Sequence, residues 1–76
     1  MTSIYIEQVG RFYRNWEGHH VKYAVEQVHM RHEPYLSREL DEWQKGLEDH
    51  GWTVEEAVRF TGAMRRLIAG KRRWNR

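Results

Sequence analysis

The sequence predicts an all-α fold, a small compact bundle of about four helices whose last two form a short-loop αα-hairpin. Three observations predict it. Apolar residues recur three and four positions apart through most of the chain. The stretch "TVEE" at 53–56 spells a capping box. The connection "HGWT" between two amphipathic stretches is so short that it forces them to be neighbours, as an αα-hairpin or a helix-turn-helix.

The first helix is expected from about Ser3 to Glu17. Tyr5, Val9, Phe12 and Trp16 recur at helical spacing, with Ile6 and Tyr13 widening the stripe. Thr2 or Ser3 can cap its start and Gly18 can end it. Gly10 weakens this helix, and a β-hairpin start through "SIYIEQVGRFYRN" is the alternative. The second, about His19 to His32, carries Val21, Ala24, Val25 and Val28 on one face, with His32 at the core edge. Pro34 stops it, because the residue before a proline avoids the helical region. The third is expected from Ser37 as cap, with Leu40, Trp43 and Leu47 aligned and Gly51 as the stop. The fourth starts at Thr53 and runs to Gly70. Its stripe is Val54, Ala57, Val58, Thr61, Met64 and Ile68, flanked by Phe60 and Leu67.

A chain of 76 residues reads as a single domain, 1–76, with 71–76 as a basic tail that frays. A domain this small buries about 60% of the surface its unfolded chain exposes, and without cysteine it has no disulfide to add. Its ten aromatic residues, four of them tryptophan, are the expected substitute. No apolar run approaches the roughly 20 residues of a membrane span, and the N-terminus lacks the pattern of a signal peptide. The expectation is a cytoplasmic protein without membrane contact.

Net charge is +2, but the layout is uneven. Residues 1–36 are neutral, residues 37–56 carry −5 and residues 57–76 carry +7. If the last two helices run antiparallel, Arg65 and Arg66 lie near the acidic start of the third, and Glu39 can meet Arg65 at the seam. Lys71, Arg72, Arg73 and Arg76 then have no evident partner in the chain. With Trp74 they suit phosphates and a stacked base, an acidic protein surface, or simply a charged terminus.

Catalytic and metal chemistry find little support. Glu26, His29 and Glu33 share a helix face, but bundle metal sites need matching ligands from other helices. Ser3 and Ser37 read as caps, the six glycines form no phosphate loop, and the acids of the third helix lie on its outer face. No metal, cofactor or enzymatic activity is expected. A base-reading helix-turn-helix is disfavoured because Glu55 and Glu56 occupy the end that such a motif inserts.

Tyr23 and Met30 stand seven residues apart, opposite the valine stripe, and suit a protein interface; the alternative is that the second helix packs on two sides of a small bundle and buries them. The sequence therefore points to a small binding protein, a regulator or inhibitor that docks on a larger protein or nucleoprotein through Tyr23 and Met30. The alternative is a protein that binds DNA or RNA through the basic fourth helix and tail: Arg66, Lys71, Arg72, Arg73, Trp74 and Arg76. Small proteins of phages and other mobile elements often look like this.

Overall fold

In the computed structural model, residues 3–28 and 32–74 are described, with side chains as far as Lys71. They form four α-helices and no strand: α1 (Ile4–Phe12), α2 (Gly18–Val28), α3 (Tyr35–Asp49) and α4 (Val54–Trp74). The first segment is thus helical rather than a hairpin. Helices touch in the ring order α1–α2–α4–α3 and back to α1. The short link makes α3 and α4 an antiparallel hairpin, and Arg65, just past the middle of the longer α4, reaches Glu33 just before α3 at 3.9 Å.

The hairpin link follows from local chemistry. The Trp52 N–H donates to the Leu47 carbonyl (3.2 Å) and the Gly51 N–H to that of Glu48 (3.0 Å). These bonds satisfy carbonyls that the end of α3 leaves free, in the Schellman arrangement. Gly51 supplies the required φ of 91°, and Leu47 and Trp52 add the buried apolar pair that accompanies the motif. Thr53 follows at once as the cap of α4. The Glu56 N–H donates to Thr53 Oγ1 (3.1 Å), and the Thr53 N–H donates to Glu56 Oε1 (2.9 Å).

The core is gathered around Phe60, which is fully buried. Trp16 and Trp52 meet its ring edge-to-face at 5.3 and 5.7 Å, and Trp43 lies nearly parallel at 6.2 Å. Around this centre pack Ile6, Val9, the stripe Val21, Ala24, Val25 and Val28, then Leu36, Leu40 and Leu47, and Ala57, Met64 and Ile68. Thr61 is buried too, its hydroxyl donating to the Ala57 carbonyl one turn back (3.0 Å).

Helix α1 is phased differently from the expectation. Its buried face is Ile6, Val9 and Gly10, whereas Phe12 is 71% exposed and Tyr5 39%. The cause is Gly10. The Trp52 indole N–H donates to the Gly10 carbonyl (2.9 Å, buried), and His50 lies so close that a Cβ on residue 10 would stand 2.6 Å from His50 Cδ2. The hairpin link seats on α1 where a side chain is missing, and this turns Phe12 to solvent. The helix also ends at Phe12, not Glu17, so Trp16 reaches Phe60 from the α1–α2 connection.

Other boundaries move for similar reasons. His32 lies past the end of α2, exposed, rather than at the core edge. Helix α3 begins at Tyr35, which brings Leu36 into the stripe with Leu40, Trp43 and Leu47. Ser37 is inside it, its hydroxyl donating to the Glu33 carboxylate instead of capping. In α4 the buried face centres on Phe60, so Val54 and Val58 are exposed. The helix also continues through Gly70 to Trp74, so residues 71–74 are helical rather than a frayed tail.

The close approach at Gly10 has a measurable cost when filled. Alanine is the better helix former by about 1 kcal/mol, yet Gly10→Ala should lower unfolding free energy by about 1–3 kcal/mol through overpacking against His50. Adding His50→Ala should recover most of that loss in denaturant melts. An equal loss in both backgrounds would show that the contact with His50 is not what residue 10 serves.

Candidate nucleic-acid interface

Because α4 is unbroken through Gly70, its basic residues share one register. Arg59, Arg66 and Arg73 follow each other at seven-residue spacing, about 10.5 Å apart along the axis. Gly62, Ala63, Ala69 and Gly70 stand between them, so a partner can come close to the helix backbone. Arg59 and Arg66 are exposed, and no described carboxylate lies within 4 Å of either. Arg65 flanks the row and is loosely paired with Glu33. Arginine suits phosphate better than lysine does, because its planar fork can donate two parallel hydrogen bonds.

The N-terminal end of the row is organised by one carboxylate. Glu56 closes the capping box and also receives Arg14, whose Nη2 donates to Oε1 (2.9 Å) and Nε to Oε2 (3.1 Å). The hydrogen bonds from Arg14, and next that from the Thr53 backbone, hold its carboxyl at about 2, against an ordinary 4.5. The same contact raises Arg14 above its usual value. Beside it opens a surface cleft of about 390 Å³ bounded by Arg14, Asn15, Trp16, Glu56 and Arg59. Glu56 is thereby neutralised by Arg14, while Glu55 remains exposed at the start of α4.

The residues expected from sequence are distributed as follows. Arg66 is on the exposed row, and Lys71 is half-buried on the flank of α4. Arg72, Arg73 and Trp74 belong to α4, with side chains outside the described set, and Arg76 lies outside the described residues. Arg59 is absent from the sequence expectation. Its seven-residue relation to Arg66 and Arg73 becomes visible once the helix is read through Gly70.

Tyr23 is not the exposed anchor its helix-wheel position suggests. It is half-buried between α1 and α2, edge-on to Tyr5 (6.2 Å) and Tyr13 (6.4 Å). Its hydroxyl donates to Gln8 Oε1 (3.1 Å), and Gln8 Nε2 donates to Tyr13 Oη (3.2 Å). Burial, then the neighbouring Tyr13 and Tyr5, raises its phenol above the ordinary 10.0. Helix α2 packs on both α1 and α4, and the second of its two packed sides takes Tyr23. Met30 and His29 lie outside the described residues. Among the described residues no three His, Asp or Glu side chains gather into a metal-binding group, and no helix is long and apolar enough to cross a membrane.

Comparison with protein-family models, curated proteins and solved structures yields no match to this chain.

The depressed Glu56 carboxyl implies an acid dependence. A group whose folded value lies below its unfolded value stabilises fully above the unfolded value and loses that contribution as pH falls toward the folded one. Wild type should therefore be more stable than Glu56→Gln at neutral pH, and the gap should close between about pH 4.5 and about pH 2. Thermal melts of both proteins across that window check it; a gap that does not change with pH would contradict the Arg14 pairing.

Proposed function

We propose that the protein is a small non-enzymatic binding protein that lays the outer face of α4 along the phosphate backbone of a nucleic acid or nucleoprotein. The observation that carries this reading is the row Arg59–Arg66–Arg73 on one continuous helix, with small residues between its members. Its chemistry is phosphate contact without base reading, which positions a protein but confers little sequence preference. Tyr23, half-buried in the α1–α2 seam, offers a partner less surface than a fully exposed anchor would, which favours the arginine row over a purely protein-docking role.

A regulator or inhibitor docked on a larger protein is the second reading. Val54 and Val58, exposed one turn apart near the start of the row, favour it. A complex of that kind rests on a few desolvated anchors and responds weakly to salt.

Fluorescence anisotropy with a labelled DNA duplex separates the two. Three to four phosphate contacts give a log–log slope of affinity against salt of roughly −3 to −4. Arg59→Ala and Arg66→Ala should each weaken binding and flatten the slope by about 1. Val58→Ser should leave both unchanged. Failure to bind any duplex or single strand at low salt, or binding indifferent to both arginine changes, would overturn the phosphate reading.

A further inference from the structure

The outward face of α1 carries the two most exposed large hydrophobic side chains among the described residues. Ile4 and Phe12 are each 71% exposed, two turns apart, with Gln8 between them. Ile4, Glu7, Gln8, Arg11 and Phe12 line a shallow groove of about 300 Å³. The first four of these stand at i, i+3, i+4 and i+7, the pattern of a hole into which a facing helix inserts one side chain.

The two flanks of this face differ. Viewed from Gln8, one flank presents Glu7 and Arg11, of opposite charge, linked within the helix at 2.9 Å. The other presents Tyr5 and Phe12, both aromatic. An antiparallel two-fold pairing brings each flank onto its own copy, in reverse direction. Glu7 of one chain then faces Arg11 of the second, and Arg11 faces Glu7. Tyr5 faces Phe12, and Phe12 faces Tyr5. Each half of the face is complementary to itself, as an isologous interface requires.

We infer that the occupant of this face is a second copy of the same chain, packed α1 against α1 about a two-fold axis near Gln8. A foreign partner would need only an apolar strip, but the reciprocal charges and the reciprocal aromatics both match the reversed chain itself. The contact uses one nine-residue helix, so it is smaller than a standard interface, and association in the micromolar range is expected. The proposal does not depend on the function of α4.

Sedimentation velocity of the full chain, over a roughly hundredfold range of micromolar concentrations, tests it. Wild type should pass from monomer to dimer. Phe12→Glu should remain monomeric with an unchanged helical spectrum, since Phe12 is not part of the core. Glu7→Arg should weaken the dimer about tenfold or more, because it sets a second cation against Arg11 of the facing chain. Glu7→Arg combined with Arg11→Glu should restore it, because the exchange preserves reciprocity. A wild type that stays monomeric throughout would overturn the inference. So would a dimer that survives Phe12→Glu, or a double exchange no better than the single one.

Discussion

The indole of Trp52 reaches across from the α3–α4 link and donates its N–H to the backbone carbonyl of Gly10. That carbonyl lies in the last turn of α1, where the helix supplies no donor for it, and it accepts the Trp52 N–H where the missing Cβ of residue 10 brings the link close. The contact fixes α1 against the hairpin, and its effects spread outward. It sets the rotation of α1 and so decides that Ile6 and Val9 are buried while Phe12 is not. It places the Trp52 ring edge-on to Phe60. It also leaves the α1–α2 connection to supply Trp16 to the opposite part of the same cluster.

A domain of this size has little surface to bury, and here three tryptophans and one phenylalanine carry much of the load. They come from four separate parts of the chain: the α1–α2 connection, α3, the hairpin link and α4. Aromatic contacts thus do for this chain what disulfides do in other small domains, tying distant segments together. The polar network on the other side is lighter. Tyr23, Gln8 and Tyr13 satisfy one another between α1 and α2, and Arg14 with Glu56 clamps the α1–α2 connection onto the start of α4.

Much of this is legible in the sequence because it depends on neighbours along the chain. The valine stripe of α2, the Leu40–Trp43–Leu47 stripe, the capping box and the stop at Gly51 all appear as read. What is not legible depends on contacts between distant residues. Periodicity ranks Phe12 with the core because it is large and apolar, whereas the face that packs is chosen by a gap at Gly10 which only His50 and Trp52 reveal. Gly70 looks like a helix end, but a glycine in a helix costs only about 1 kcal/mol, and α4 continues past it. Ending the helix there conceals the arginine register, because it assigns Arg73 to a tail. Tyr23 differs for another reason: its helix packs on two neighbours, α1 and α4, and Tyr23 falls in the second seam, while His19, Lys22 and Glu26 keep an outward face.

The link from His50 to Thr53 has no spare residue. His50 closes α3, Gly51 and Trp52 satisfy its last carbonyls, and Thr53 opens α4. Such a link works as an angular gauge. Each residue of α-helix advances the side-chain direction by about 100°, so the number of residues between the two caps determines the azimuth of everything downstream. One residue more or less in this turn would have to be absorbed either by swinging α4 about its own axis, which would bury the arginines and expose Phe60, or by breaking a cap. The outward aim of Arg59 and Arg66 is thus written in the length of the turn, well before either arginine is reached.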